Sequence, residues 1–171
     1  TLSALDATQM AALTTSQIKG LTTSQLQGLT TTDIGELTTT QIGALSADQI
    51  KTLSSTNISA LADTQVAVLT STQIKGLTTS QLNALTATDI GELADTQIQA
   101  MSNAQLAALS QTGVQALSTT QITALSATQV SAFSATNFSA MDATQVGALS
   151  AAQIKGLTVD QVKRLNATDV A

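Results

Sequence analysis

The sequence predicts an all-α fold, a solenoid or superhelix in which each eight-residue repeat forms one short, capped helix. An octad with the pattern Leu-(Ser/Thr)-x-(Thr/Ser)-Gln-(Ile/Val/Leu)-x-(Ala/Gly) runs without a break from Leu5 to the end of the chain. Its second position carries a helix-capping residue almost throughout. The eight-residue length of the octad does not fit the period of a continuous α-helix, so the chain has to turn within every repeat.

The period of eight argues against one long helix. An α-helix rotates by about 100° per residue, so eight residues overshoot two full turns by about 80°. Leucines and isoleucines at this spacing would spread over every face of such a helix. A break within each octad keeps the apolar columns together.

Each octad contains the signals that start a helix. In the repeat that begins at Leu13, the hydroxyl of Thr14 is placed to accept a hydrogen bond from the amide of Gln17, whose side chain reaches back to the amide of Thr14. Leu13 and Ile18 stand at the two positions of a hydrophobic staple. The pattern therefore predicts a helix of about six residues, 15–20, in this repeat.

Capping residues recur at every eighth position from Asp6 to Asn166. Of these 21 positions, 19 carry Ser, Thr, Asp or Asn. The two exceptions, Ala62 and Ala94, are each followed by an aspartate. This column predicts one helix per octad along the whole chain.

A β-solenoid is the alternative fold, because Thr, Ile, Val and Leu all favour strands. The two apolar columns are alternately five and three residues apart. Odd spacings would place them on opposite faces of a strand. The chain also has no proline and no Asn-Gly or Asp-Gly turn. The helical fold is therefore favoured.

A slower rhythm predicts the pitch of the superhelix. The Gln column is replaced by Asp, Asn or Gly at six positions that lie 3, 4, 3, 3 and 4 octads apart. The mean step predicts about 3.4 octads per superhelical turn, with the six residues in one axial stripe. Segmental duplication without regard to phase is the alternative explanation. The six positions are Asp33, Asn57, Asp89, Gly113, Asn137 and Asp169.

The Leu and Ile columns are expected to form the core, with Thr, Gln and Lys on the outside. The column of Ala and Gly lets neighbouring helices approach closely, and Phe133 and Phe138 are expected to fill the core. No linker interrupts the interior, so residues 1–171 are predicted to form a single domain. Both ends stand in register with the repeat, which predicts that the chain is part of a longer array.

The composition argues against nucleic acid and membrane partners. The net charge is −5, and only 10% of the residues are charged. The few lysines are scattered, whereas nucleic acids and anionic membranes require clustered Lys and Arg. No apolar stretch is long enough to span a bilayer, so no membrane insertion is expected.

The residue inventory predicts that the protein is not an enzyme and has no catalytic, cofactor-binding or metal-binding residues. Histidine, cysteine, tyrosine and tryptophan are absent, so the usual nucleophile–base pairs and soft-metal sites cannot be built. Two carboxylate pairs, Asp33 with Glu36 and Asp89 with Glu92, would suit a hard cation. The favoured interpretation is that each aspartate completes a capping box and each glutamate is solvated.

The octad resembles the tandem repeats of very long bacterial surface or secreted proteins, often described as adhesins or haem-utilisation proteins. The resemblance implies a repetitive stalk or spacer in an extracellular or cell-surface protein, with neighbouring octads of the parent protein as its partners. An adhesive module that recognises a protein or glycan through a Thr- and Gln-rich surface is the alternative. The repeat also resembles those of DNA-binding TAL effectors, but its short period and acidic charge argue against the same role.

Overall fold

The computed structural model describes residues 2–165, and over this range the chain is helical and contains no strand. A 3₁₀ turn at Leu2–Ala4 is followed by twenty α-helices of four to six residues, one in each octad of the described range. The helical prediction is confirmed and the β-solenoid is excluded. In chain order the helices are α1 (Ala7–Ala11), α2 (Thr15–Lys19), α3 (Thr23–Gln27), α4 (Thr31–Glu36), α5 (Thr39–Ala44), α6 (Ala47–Thr52), α7 (Ser55–Ser59), α8 (Asp63–Ala67), α9 (Ser71–Gly76), α10 (Thr79–Leu82), α11 (Ala87–Glu92), α12 (Asp95–Ala100), α13 (Asn103–Ala108), α14 (Gln111–Gln115), α15 (Thr119–Ala124), α16 (Ala127–Ala132), α17 (Ala135–Phe138), α18 (Ala143–Gly147), α19 (Ala151–Lys155) and α20 (Val159–Arg164).

Each of these helices begins at the predicted cap position. In eighteen of the twenty, the cap side chain accepts a hydrogen bond from the amide three residues later. At the start of α2 the Gln17 amide donates to Thr14 Oγ1 at 3.3 Å, and the Thr14 amide donates to Gln17 Oε1 at 2.8 Å. Ala62 and Ala94 lack the side-chain bond, as expected. The remaining cap residue, Asn166, lies outside the described range.

The helices end in the same way from octad to octad, without a glycine in the left-handed region. At the end of α5 the amide of Leu45 donates to the carbonyl of Ile42 at 3.2 Å. Leu45 (φ −61°, ψ 141°) and the next cap, Ser46 (φ −73°, ψ 161°), are both outside the helical region. Because this reversal needs only negative φ angles, no positive φ occurs in the described residues, and the Leu-(Ser/Thr) pair suffices to stop one helix and start the next.

The chain comprises two compact units, Thr1–Leu85 and Thr86–Ala171. The first contains α1 to α10 and the second α11 to α20. In a linear array each helix contacts only near neighbours, so two compact units do not by themselves mark a domain boundary. The single-domain assignment stays a prediction.

Within each unit, every helix packs against the third helix that follows it. In the first unit α1 packs on α4, and the pattern continues to α7 on α10; in the second it runs from α11 on α14 to α17 on α20. Side-chain hydrogen bonds also connect helices that lie four octads apart. For example, Nε2 of Gln41 in α5 donates to the carbonyl of Met10 in α1. A turn therefore holds between three and four octads, in agreement with the predicted 3.4.

The Ile and Leu columns form the core of each unit. Ile18, Ile42 and Ile122 are 0% exposed, and the Leu column is almost as well covered, with Leu45 at 3%. Phe138 is also fully buried, which confirms that the aromatic side chains fill the core. The prediction that the Gln column lies outside is wrong. Most of these glutamines are buried, because their amides bind the backbone of the preceding turn, and the buried ones are Gln41, Gln65, Gln73, Gln81, Gln97, Gln105, Gln121, Gln145, Gln153 and Gln161.

Candidate functional site

A ladder of glutamine side chains joins successive turns within each unit. Gln73 illustrates it. Its Oε1 accepts the amide of Thr70 at 2.7 Å, which completes the capping box of α9. Its Nε2 donates to the carbonyls of Ile42 and Leu45, at 2.9 and 2.7 Å, at the end of α5. One side chain thus caps the start of its own helix and the end of a helix in the preceding turn.

The same bond recurs along both units. In every case Nε2 donates to the carbonyl of the residue 28 positions earlier, at 2.6–3.0 Å. A buried hydrogen bond of this kind contributes about 1 kcal/mol net, and losing one partner costs more because the other stays desolvated. The donors are Gln41, Gln49, Gln65, Gln73, Gln81, Gln121, Gln129, Gln145, Gln153 and Gln161.

Glutamine suits this position because a primary amide carries both an acceptor and two donors. Helices of four to six residues leave most of their terminal amides and carbonyls without partners inside the helix. A glutamate would serve the capping box equally well, but it has no hydrogen to offer the carbonyls. No Glu occupies this column anywhere in the chain. The 15 glutamines in this column, against no glutamate, indicate that the amide hydrogens are needed at most positions, although Asp33, Asp89 and Asp169 also occupy it.

A glutamine makes two hydrogen bonds, one in the capping box and one to the preceding turn. The described residues of the stripe, which replace it, make one of these bonds or neither. Asp33 keeps the capping half, since its Oδ2 accepts the amide of Thr30 at 2.7 Å. Asn57 keeps the inter-turn half, since its Nδ2 donates to the carbonyl of Leu29 at 3.0 Å, and its helix has no capping box. Gly113 has no side chain for either bond. Asp has no hydrogen to donate to the preceding turn, and Asn, one methylene shorter than Gln, makes only the inter-turn bond at Asn57.

The stripe runs through stacked helices within each unit. Helices α4 and α7, which carry Asp33 and Asn57, pack together in the first unit. In the second unit α11, α14 and α17 pack in succession and carry Asp89, Gly113 and Asn137. Asp169, the sixth predicted member, lies outside the described range.

In each of the two predicted carboxylate pairs, the aspartate acts as a capping residue and the glutamate does not. Asp89 Oδ2 accepts the amide of Thr86 at 2.7 Å, just as Asp33 does at Thr30, whereas Glu36 and Glu92 are the last residues of α4 and α11. Asp89 Oδ1 is buried and has no hydrogen-bond partner within the described part of the chain. Across residues 2–165, no group of three or more Asp, Glu, His or Cys side chains could hold a metal ion.

Among the described residues, no helix has the length and apolar character needed to cross a bilayer.

Comparison with known families agrees with the repetitive architecture. A family model described as the ALTTAQ repeat matches residues 20–55 and, in a second overlapping match, residues 29–63. No match is found among curated proteins. The matched segment contains the capping column and the Gln column, and it is similar to a tandem repeat region of the ALTTAQ type.

Proposed function

We propose that this chain is a structural spacer within a large bacterial surface or secreted protein. The observation that carries the proposal is the glutamine ladder. The glutamine amides, which are well suited to recognising a ligand, are instead bonded to the backbone and hold successive turns of the same unit together. Gln73 and Gln81, for example, are each 2% exposed and bond to the backbone at both ends of the amide.

The outer surface supports the same role. Large apolar side chains exposed within the described residues are few: Val68 lies in the first unit, whereas Ile154, Val159 and Val162 lie at the end of the second. The remaining exposed positions are mainly Thr, Ser, Ala and Gly from the first turns and ends of the helices. Binding surfaces more often show a contiguous apolar patch.

An adhesive module is the competing function, and hydroxyl groups on the surface would have to carry it. Thr23, Thr31 and Thr39 are exposed first residues of consecutive helices and are not caps, so alanine at these sites leaves the fold intact. The 171-residue chain and the variant T23A/T31A/T39A are to be compared on glycan arrays and on extracellular-matrix proteins. A spacer binds neither. Saturable binding that the triple variant loses would replace the spacer by an adhesin.

The cellular location needs a separate experiment. Antibodies raised against the purified chain should label intact bacteria that express the parent protein. Labelling that appears only after permeabilisation would contradict the extracellular assignment and leave the structural role of the repeat untouched.

A further inference from the structure

Three of the six basic residues of the chain lie in one row along the side of the first unit. Lys19, Lys51 and Lys75 are separated by four and by three octads. Nε2 of Gln49 in α6 donates to the carbonyl of Lys19 in α2 at 3.1 Å, and α6 packs on α9, so the three helices are stacked. All three lysines are exposed. The superhelix thus gathers lysines that are scattered in the sequence into a basic row with one lysine per turn.

An acidic row follows another side of the same unit. It consists of Asp6, which caps α1, Glu36 at the end of α4 and Asp63 at the start of α8. Helix α4 packs on α1, and Nε2 of Gln65 in α8 donates to the carbonyl of Ile34 in α4 at 3.1 Å. Asp6 and Asp63 are exposed, and Glu36 is half-buried. These carboxylates therefore also recur once per turn.

The two rows differ in charge and in their position around the unit. Helices α2, α6 and α9 carry the three lysines and one aspartate, Asp48, which gives a formal charge of +2. Helices α1, α4 and α8, with the cap Asp6, carry four carboxylates, of which Asp33 is buried, and no basic residue. The helices of one row lie one or two octads from those of the other. Because a turn holds between three and four octads, the two rows face different directions.

We propose that two copies of this chain associate side by side, with the basic row of one copy against the acidic row of the other. Both rows have one charged residue per turn, and stacked helices are about 9 Å apart, so the charges of the two rows have the same spacing and can pair in register. Complementary potentials favour this contact over a contact between two like rows. Each copy keeps one row free after pairing, so the contact is heterologous and can add further copies.

The chain itself supplies the partner that suits the basic row. Nucleic acids bind dense clusters of Lys and Arg, whereas here successive lysines are a whole turn apart and the net charge of the chain is −5. Neighbouring turns do not cover the row, because Lys51 is exposed although α6 packs on both α3 and α9. The surface is therefore equally accessible in an array of any length.

Zero-length cross-linking of the full chain tests the pairing. A carbodiimide joins a lysine amine to a carboxylate only where the two are in contact, and a mixture of isotopically labelled and unlabelled chain distinguishes bonds between copies from bonds within one. We expect mixed-isotope peptides that join a lysine of the basic row to Glu36 or Asp63. Their yield should fall by about tenfold between about 0.05 M and about 0.5 M salt, because exposed charges are screened.

Two neutralised variants and a control identify the surfaces. K19Q/K51Q/K75Q removes the positive charges of the basic row. D6N/E36Q/D63N removes the negative charges of the acidic row and keeps the first cap, since asparagine caps as well as aspartate. S24E/T56E/S80E adds three negative charges at exposed positions of α3, α7 and α10, which belong to neither row. It has the same net charge as K19Q/K51Q/K75Q and is its matched control.

Sedimentation velocity at about 0.05 M salt and up to about 1 mM chain should show concentration-dependent oligomers for the unaltered chain and for the control. Each neutralised variant alone should be monomeric. An equimolar mixture of the two should form dimers and nothing larger, because each variant retains one intact row.

A chain that stays monomeric under these conditions and gives no cross-links between copies would overturn the proposal. Oligomers that K19Q/K51Q/K75Q reduces no more than S24E/T56E/S80E does would overturn it too, because they would indicate association through another surface. A monomeric chain that binds heparin, with binding lost in K19Q/K51Q/K75Q, would also overturn it and assign the basic row to an anionic polymer. Dimers in the mixture, absent from either variant, support it directly.

Discussion

Gln73 donates from Nε2 to the carbonyl of Leu45, 28 residues earlier, at 2.7 Å. The same side chain accepts the amide of Thr70, so one amide group couples the start of a helix to the end of another in the preceding turn. Octads that are individually too small to fold are in this way tied into a cooperative stack.

Replacing Gln73 by glutamate should separate the two tasks. The carboxylate still serves the capping box but faces the carbonyls of Ile42 and Leu45 without a hydrogen to donate. We expect a loss of about 3–5 kcal/mol in the free energy of unfolding, typical of an unpaired buried charge. Urea denaturation followed by circular dichroism measures it. The exposed Gln17→Glu is the matched control and should change stability by less than about 0.5 kcal/mol.

The pH dependence of Gln73→Glu gives a second test. Burial against carbonyl oxygens favours the protonated acid in the folded state, so the introduced group has a higher pKa there than in the unfolded chain, where it is about 4.3. The destabilisation is therefore absent below about pH 4 and grows as the pH rises above that value. A loss that is the same at pH 3.5 and pH 7 would show that packing, not the missing donor, is responsible.

Close approach of helices at the Ala/Gly column should make Gly76 sensitive to a single methyl group. A Cβ built on Gly76 would lie 2.9 Å from the Cβ of Ala47, whereas one on Gly35 meets nothing within 4 Å. We expect Gly76→Ala to cost about 1–3 kcal/mol through overpacking, less the gain in helix propensity. Gly35→Ala should stabilise by up to about 1 kcal/mol. Thermal melts of both variants check this.

A double variant decides whether the contact itself is responsible. Adding Ala47→Gly to Gly76→Ala returns the methyl group to the opposite helix and should recover most of the overpacking cost. The equivalent pair, Gly156 and Ala127, lies eighty residues further on. A Cβ added to Gly156 would lie 3.0 Å from the Cβ of Ala127. If Gly76→Ala leaves the melting temperature unchanged, α6 and α9 have enough room between them for a second methyl group, and overpacking is not the cause.

Much of this architecture could be predicted from local chemistry, and the remainder could not. Thr14 and Gln17 are three residues apart, so their capping box can be predicted from the sequence. The same spacing in the other octads predicts where their helices start. The bond from Gln73 to Leu45 spans 28 residues, and its partner depends on the pitch of the superhelix. The spacing of the stripe predicts the pitch, but the octad pattern places the glutamines on the surface, where long polar side chains usually lie. Only the absence of glutamate from the column hinted otherwise.

Restoring the missing cap at Ala62 should stabilise the first unit. The backbone at Ala62 (φ −70°, ψ 154°) is nearly the same as at Ser54 (φ −68°, ψ 156°), whose hydroxyl caps α7. Ala62→Ser therefore needs no rearrangement, and we expect a gain of about 1 kcal/mol. Ser54→Ala, in the neighbouring octad, should cost about the same amount. Equal melting temperatures for the two variants would mean that the caps contribute little.

Removing ten whole octads should preserve the fold, whereas removing a fractional number should not. Deletion of residues 77–156 joins Gly76 to Leu157 and keeps the phase of the octad. It also places Gln161 where Gln81 stood, so that its amide can donate to the carbonyls of Ile50 and Leu53, as Gln81 does at 2.8 Å. We expect helicity per residue and melting temperature close to those of the full chain.

Deletion of residues 77–152 is the control, because it removes four residues fewer and shifts every later cap by half an octad. The first helix after the junction then loses its capping box and its inter-turn bonds, at about 1 kcal/mol for each bond lost. Circular dichroism should show reduced helicity and a lower melting temperature for this variant alone. Similar melting of the two deletions would mean that the octad phase does not govern how the turns stack, and a spacer of adjustable length could not be built by adding repeats.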